Sequence, residues 1–362
     1  MNKTPSDWIR PEIRGLSAYH VPPAKGMIKL DAMENPYDWP EDLQKTWLEK
    51  IKEVPLNRYP DPAGKMLCER LRETMEVPAG QEIMLGNGSD ELIQVIAMAI
   101  AEKGRVILAP EPSFVMYKMI ATFVGLDYVG VPLKAEDFSL DLQVMLAAIK
   151  QHKPAIIFLP YPNNPTGNHW DRAAIEKIIE QAPGLVVLDE AYAPFATDSF
   201  MQDLNRYPNL LVMHTLSKFG LAGIRLGYLC GAPEWLNEFD KIRLPYNINS
   251  LTQMTAEFAL ENKKIFDDQA DLIKTERKVL IAAMNNISGL KVFQSDANFI
   301  LFKTPVGQAK TIFELLQAQN ILIKNLSASD GALQDCLRVT VGRPDENKRF
   351  IAGLSEAVQT AA

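Results

Sequence analysis

Short apolar runs alternate with amphipathic stretches along most of the chain after residue 60. The apolar runs carry no polar alternation and end in polar residues; they are RVILA (105–109), AIIFLP (155–160), LVVLDEAY (185–192) and LLVMHT (210–215). Runs of this kind, separated by helices, are typical of parallel strands that are covered on both faces. The pattern therefore predicts an α/β fold with a mostly parallel central sheet flanked by helices.

The amphipathic stretches predict helices over 64–77, 89–103, 113–124 and 140–151. In the second of these, Ser89 precedes an apolar face with helical spacing and is a plausible N-cap. That apolar face comprises Leu92, Val95, Ile96, Ala99 and Ile100.

The pattern of predicted helices and strands changes near residue 250. A long helical region over 252–286 is followed by apolar runs at 291–295, 298–303, 321–325 and 337–342, with helices near 307–318 and from Pro344. We therefore expect a large domain over 40–255. A smaller α/β domain is expected to combine 256–362 with residues 1–39, which include an N-terminal arm.

Composition and charge exclude several classes of partner. The 362 residues have a formal net charge of −7 and no Lys/Arg-rich run, so we do not expect binding to nucleic acid. Three cysteines and four histidines lie far apart, which argues against a disulfide framework and against a metal site. No signal peptide or membrane-spanning run is visible, so a cytoplasmic protein is expected.

Four polar motifs follow predicted strands: GNGSDE (86–91), PNNPTG (162–167), DEAY (189–192) and TLSK (215–218). Ligands of open α/β sheets bind beyond the carboxyl ends of the strands. GNGSDE lacks the third glycine of a dinucleotide fingerprint, because Glu91 stands there, and no nucleoside-triphosphate loop is present. A glycine turn at a helix N-terminus still suits a phosphate group.

The phosphate ligands that these motifs could supply are Gly88, Ser89, Asp90, Ser217 and Arg225. They would contribute backbone amides, hydroxyl groups and one guanidinium. Together they predict a site for a single phosphate group at the edge of the sheet.

The remaining motif residues suit the other groups of an aromatic cofactor. Asp189 could pair with a protonated ring nitrogen, and Asn164 and Tyr192 could bind a phenolic oxygen. Lys218 could form a Schiff base with an aldehyde. Pyridoxal 5′-phosphate has all of these groups, and its enzymes need such a lysine and an acidic partner for the ring nitrogen.

The motifs NNPTG, DEAY and SKFGLAGIRLGY, in this order, resemble those of fold-type I pyridoxal-phosphate aminotransferases. The resemblance extends from LDAMENP (30–36) to LRVTVGRPDEN (337–347), which is most of the chain. Within that superfamily, LSAYHVP, LDAMENPY, NRYPDP, GNGSDELI and CLRVTVG are similar to motifs of the histidinol-phosphate aminotransferase family. The resemblance implies that Lys218, Asp189 and Tyr192 are catalytic.

The same resemblance implies further cofactor contacts. Phe114 would lie on the cofactor ring, and Tyr59 would reach the cofactor phosphate of a neighbouring subunit, which implies a homodimer with shared active sites. Gly223 and Gly227 would allow the close turn after Lys218.

Four residues are implied to bind substrate. They are Tyr19, Asn35, Lys324 and Arg338, with Arg338 gripping the anionic group. Lys324 stands where related sequences carry arginine, so it keeps the charge and loses the bidentate fork.

The expected reaction is transamination between L-histidinol phosphate and 2-oxoglutarate in histidine biosynthesis, giving imidazole acetol phosphate and L-glutamate. One alternative is an aromatic or broad-specificity amino-acid aminotransferase, and another is threonine-phosphate decarboxylase. A ligand-sensing regulator is a further alternative, although the sequence has no basic helix-turn-helix segment.

Overall fold

The computed structural model describes residues 4–18, 22–327 and 331–361. The strands within this part of the chain are β1 Ile28–Lys29, β2 Glu82–Gly86, β3 Val106–Glu111, β4 Asp127–Pro132, β5 Ile156–Pro160, β6 Leu185–Asp189, β7 Leu210–Thr215, β8 Gly227–Gly231, β9 Lys291–Val292, β10 Phe299–Lys303, β11 Ile321–Leu322, β12 Lys324–Asn325 and β13 Cys336–Thr340.

The helices in the same ranges differ widely in length. They are α1 Pro11–Arg14, α2 Glu41–Ile51, α3 Lys65–Thr74, α4 Ser89–Ala99, α5 Met116–Val124, α6 Leu142–His152, α7 Arg172–Gln181, α8 Pro233–Asp240, α9 Ser250–Glu261, α10 Lys263–Asn285, α11 Ala309–Ala318 and α12 Pro344–Ala361. Among the described residues, no helix is both long and apolar enough to cross a membrane.

A seven-stranded sheet, in the order β2-β8-β7-β6-β5-β3-β4, forms the centre of the larger part of the molecule. The strands from β7 to β4 in this order pair in parallel, and β8 runs antiparallel to both of its neighbours. Pro160, Asp189 and Met213 stand side by side at the carboxyl ends of β5, β6 and β7. This register brings the loops that carry the polar motifs to one edge of the sheet.

Both faces of this sheet are buried. In β5, Ile156 and Phe158 point into an apolar layer with α4, α5 and α8, whereas Ile157 and Leu159 point into the layer with α3, α6 and α7. Successive strand residues point to opposite faces, so a strand that is buried on both sides must be apolar throughout. The predicted fold class, a mostly parallel sheet flanked by helices, is confirmed.

A second sheet of four antiparallel strands, β12-β13-β10-β9, packs with α10, α11 and α12. The chain near the N-terminus joins this part, because β1 pairs in parallel with β11. Leu30 belongs to the same apolar core as Phe299, Ile300 and Phe350.

One local prediction, the N-cap of α4, is wrong. Ser89 is the first residue of α4, and Gly88 occupies the N-cap position with a φ of 81°. Any other residue at Gly88 would be strained, because L side chains rarely adopt this positive φ. The region predicted as helical over 252–286 is helical, and it comprises two helices, α9 and α10, separated by Asn262.

Candidate active site

One cavity lies at the carboxyl ends of β5, β6 and β7, and most of the predicted site residues meet there. Those that line it are Ser89, Asp90, Phe114, Asn164, Asp189, Tyr192, Ser217, Lys218 and Arg225. Met33 also lines the cavity, so the chain near the N-terminus covers part of it. The sheet register thus assembles residues that are separated by more than 100 positions in the sequence.

Lys218 lies on a single π-helical turn, Ser217–Leu221, directly after β7. Thr215 holds the base of this turn: its hydroxyl donates to the Leu226 carbonyl at 3.2 Å and accepts from the Ser217 amide at 3.1 Å. Gly220 has a φ of 124°, which only glycine adopts readily. The turn therefore directs Lys218 into the cavity without extending β7.

The Lys218 amine donates to the Ala32 carbonyl at 3.2 Å. Burial, reinforced by the positive charge of Arg338, lowers the pKa of this amine to about 8. A larger share of the amine is therefore neutral and nucleophilic near neutral pH than for an ordinary lysine.

The N-terminus of α4 and Arg225 lie together in the lining of the cavity. Arg225 Nη2 lies 3.6 Å from Asp90 Oδ2, and the guanidinium remains half exposed. A Cβ at Gly227 would lie 2.7 Å from the amide nitrogen of Ser89, so glycine is required for this close approach. A Cβ at Gly223 would meet open space, so the close turn does not require glycine at this position.

Asp189 ends β6 and is buried. Its Oδ2 accepts a hydrogen bond of 2.7 Å from the Tyr117 hydroxyl, and its Oδ1 accepts one of 3.2 Å from the Ala191 amide. Burial raises the pKa of the Asp189 carboxyl to about 6, although both hydrogen bonds act in the opposite direction. Tyr117 belongs to none of the motifs from which the site was predicted. Tyr117 lies on the buried face of α5 with Ile120 and Ala121. The spacing of these residues could have indicated a buried tyrosine, whose hydroxyl needs a hydrogen-bond partner.

Asn164 and Arg338 connect the cavity to the second sheet. Arg338 Nη1 donates to Asn164 Oδ1, and Nη2 donates to the Asp31 carbonyl at 3.1 Å. The guanidinium lies 5.2 Å from the centre of the Phe299 ring. Tyr192 is buried edge-on against the same ring, with 5.1 Å between ring centres. Arg338 is therefore held from three sides immediately behind the cavity wall.

Arg338 itself does not line the cavity, and neither do Asn35 and Lys324, the other predicted substrate residues that the structure describes. Asn35 donates to Gln269 Oε1 at 2.9 Å and accepts from the Tyr37 amide at 2.9 Å, so both ends of its side-chain amide form hydrogen bonds within the chain. Lys324 stands directly opposite Arg338 in the antiparallel pair of β12 and β13. Tyr19 lies outside the described residues.

Tyr59 also lies outside the cavity of its own chain. It is 80% exposed and stacks on Tyr246, with 4.4 Å between ring centres.

The three cysteines are free thiols. Within the described ranges, no group of three or more His, Cys, Asp or Glu side chains could hold a metal ion.

The fold and the cavity agree with the comparison to known protein families. The model of the family "Aminotransferase class I and II" matches residues 25–354. The chain belongs to this family, and the resemblance drawn from its motifs is confirmed.

Several relatives of high sequence identity are named histidinol-phosphate aminotransferase. The histidinol-phosphate aminotransferase 2 of Nitrosococcus oceani is 54% identical over 349 residues, which are 96% of this chain and 97% of that protein. The histidinol-phosphate aminotransferase of Chromobacterium violaceum is 51% identical over 354 residues, covering 98% of this chain and 99% of that protein.

Solved structures show the same fold. That of histidinol-phosphate aminotransferase from Sinorhizobium meliloti, in complex with pyridoxal-5′-phosphate, has a TM-score of 0.86 at 23% identity, covering 97% of this chain and 98% of that chain. L-threonine-O-3-phosphate decarboxylase from Porphyromonas gingivalis has a TM-score of 0.78 at 23% identity, with coverages of 92% and 100%. At this identity the likeness concerns the fold alone.

Proposed function

We propose that the protein is a pyridoxal-phosphate-dependent aminotransferase. Its proposed reaction converts L-histidinol phosphate and 2-oxoglutarate into imidazole acetol phosphate and L-glutamate. The observation that carries this proposal is the meeting of the Lys218 amine, the buried Asp189 carboxyl and Arg225 in one cavity. The substrate assignment is supported by named relatives that are about half identical over nearly their whole length.

The side chains in the cavity fit pyridoxal phosphate. Arg225, the hydroxyls of Ser89 and Ser217, and the N-terminus of α4 suit a phosphate dianion. Asp189 suits a protonated ring nitrogen, and Phe114 offers a ring face. Asn164 and Tyr192 would hold the phenolic oxygen, and Lys218 would hold the aldehyde carbon. When bound, this cofactor serves as an electron sink for the carbanion at the substrate Cα.

The chain's own residues would then orient the substrate and move its proton. The Lys218 amine would take the proton from the substrate Cα and deliver it to the former aldehyde carbon of the cofactor, C4′. Ser89, Ser217 and Arg225 would hold the phosphate group and so keep the reacting atoms beside this amine, which would make the proton transfer intramolecular. Asp189 would keep the ring nitrogen protonated while charge develops.

Arg338 would bind the anionic end of either substrate. Histidinol phosphate has a phosphate but no α-carboxylate, whereas glutamate has carboxylates and no phosphate. A guanidinium fork pairs with either oxyanion, so one pocket can accept both half-reactions. Asn35, Lys324 and Tyr19 are proposed to complete the substrate pocket.

We further propose a homodimer in which Tyr59 reaches the neighbouring active site. The exposure of Tyr59, outside its own cavity, supports this role. We also propose a cytoplasmic location, which suits three free thiols. We also propose the division expected from the sequence, with a large domain over 40–255 and a smaller one that combines 256–362 with residues 1–39. The helix α10 contributes to both cores, Phe266 to that of the large sheet and Ala270 to that of the small one.

An absorbance spectrum of the cofactor-loaded protein tests the reaction. Histidinol phosphate is expected to bleach the visible band of the bound cofactor, and 2-oxoglutarate is expected to restore it. Phenylalanine should act far more slowly, and threonine phosphate should release no carbon dioxide. A spectrum that histidinol phosphate leaves unchanged would contradict the substrate assignment, and faster bleaching by phenylalanine would favour the aromatic alternative.

A further inference from the structure

Tyr117 is fully buried behind the wall of the cavity and does not line it. Its ring lies parallel to that of Phe158 in β5, with 4.7 Å between ring centres and 6° between planes. Its edge also meets the Phe114 ring, with 5.6 Å between centres. The ring is therefore fixed between the central sheet and the proposed stacking face of the cofactor site.

The hydroxyl of Tyr117 donates to Asp189 at 2.7 Å. Together with the Ala191 amide on the other oxygen, this bond fixes both carboxylate oxygens of a side chain that lines the cavity. A tyrosine hydroxyl has one proton to donate, and the phenol pKa is raised well above its usual value by burial and by Asp189, so the proton stays on Tyr117.

A carboxylate that already accepts two hydrogen bonds is a weaker base than one that accepts a single bond. In the proposed active site, Asp189 shares a proton with the ring nitrogen of the cofactor. A weaker carboxylate base leaves that proton on the nitrogen, where it increases the electron demand of the ring. A stronger carboxylate base would draw the proton toward itself and leave a less electrophilic ring.

We propose that Tyr117 is a positioning residue that acts through Asp189: it aims the carboxylate at the ring nitrogen of the cofactor and keeps the shared proton on that nitrogen. This inference rests on the proposed function. Tyr117 also contacts Phe114, the residue proposed to stack on the cofactor ring. One side chain therefore packs against both the proposed stacking residue and Asp189. Tyr117 itself touches neither substrate nor cofactor.

The chain offers a matched control at Tyr161. This residue is also buried, and its hydroxyl donates to Asp198 Oδ2 at 2.8 Å, outside the cavity. Tyr117→Phe and Tyr161→Phe therefore remove the same atom and the same type of hydrogen bond. Both variants are expected to lower the melting temperature by similar amounts, and only the first should affect the cofactor.

The experiment uses the holoenzyme loaded with cofactor that carries ¹⁵N in the ring. In Tyr117→Phe, the nitrogen resonance is expected to move toward that of neutral pyridine. The kcat with histidinol phosphate should fall about tenfold, the scale of one hydrogen bond to a charged group, while KM changes less than about twofold. In Tyr161→Phe, the resonance, kcat and KM should match the wild-type values.

The inference would be overturned if Tyr117→Phe kept the wild-type resonance and kcat while its melting temperature fell as much as that of Tyr161→Phe. Tyr117 would then contribute to packing alone. If Tyr117→Phe does not fold, 3-fluorotyrosine at position 117 keeps the shape and strengthens the donor. The resonance should then move in the opposite direction, and an unchanged resonance would overturn the inference. A wild-type protein that neither binds the cofactor nor transaminates would instead contradict the proposed function.

Discussion

The two halves of the candidate active site are built in different ways. The cofactor half, with Asn164, Asp189 and Lys218, stands on the aligned ends of adjacent strands in one sheet. The proposed substrate half centres on Arg338, which lies on a different sheet and reaches back to Asn164 and to the Asp31 carbonyl. Backbone register therefore positions the first half, whereas long-range side-chain contacts position the second. Substitutions in the first half should act on chemistry, and those in the second on substrate binding.

The largest effect is expected for Lys218→Ala. Removal of the amine eliminates both the covalent anchor and the base, so kcat should fall by more than the roughly 10²–10⁴-fold that a general base alone supplies. Steady-state kinetics with histidinol phosphate measures this loss. Lys241→Ala removes an exposed lysine paired with Glu238 and should keep full activity. Substantial residual turnover in Lys218→Ala would contradict the role assigned to the cofactor half.

Arg338→Ala should affect substrate binding most. Loss of a buried, hydrogen-bonded cation costs roughly 2–5 kcal/mol, so we expect kcat/KM to fall by about a hundredfold or more, mainly through KM. Arg338→Lys should recover part of the loss, because it keeps the charge without the fork. Lys324→Ala is the comparison variant and should have a smaller effect. Equal effects at both positions would show that Arg338 is not the principal anion ligand.

The raised pKa of Asp189 predicts a pH dependence of stability in the cofactor-free protein. Because the folded-state pKa of about 6 exceeds the usual value of 3.8, this group's contribution is fully present below about pH 4 and is lost as pH rises through about 6. The expected change in the free energy of unfolding is about 3 kcal/mol. Urea denaturation of wild type and Asp189→Asn between pH 4 and 7 measures it, and Asp189→Asn should lose this dependence.

Asp198 provides a control of opposite sign. Burial there is outweighed by hydrogen bonds from Arg172 and Tyr161, so the pKa of the Asp198 carboxyl is lowered. Its contribution should be lost as the pH falls. Identical pH profiles for Asp189→Asn and wild type would contradict the assignment of a raised pKa to Asp189.

A smaller effect concerns the reactivity of Lys218 in the cofactor-free protein. With a pKa of about 8, the neutral fraction of the amine should rise about tenfold per pH unit below that value. Competitive labelling with acetic anhydride, read by mass spectrometry, should reach half of its maximum near pH 8. Lys264 is the control, because a hydrogen bond from its amine to Asp268 raises the pKa of Lys264. Coincident labelling curves would contradict the difference between the two sites.

The same contrast between the two halves explains what the sequence could predict. Each of the motifs around Asn164, Asp189 and Lys218 is a short continuous stretch that follows an apolar run. Because parallel strands end at the same edge of a sheet, these three residues could be expected to lie close together. The bond from Arg338 to Asn164 joins residues 174 positions apart and depends on how the two sheets pack, which no local pattern reveals.

Two other features were hidden for local reasons. Tyr117 could not be singled out because, in the sequence, it is one more large residue on the apolar face of a helix, and only its hydroxyl group differs. The N-cap at Gly88 was missed because serine is usually the better cap, and the reason for glycine is the positive φ at this position.

The most direct test of the central claim is to locate the lysine that carries the cofactor. The holoenzyme is reduced with borohydride, digested with protease and analysed by mass spectrometry. The account predicts that the phosphopyridoxyl group is found on the peptide containing Lys218 and that the label disappears when histidinol phosphate is added before reduction. A label on any other lysine, or no label on a protein that binds the cofactor, would contradict it.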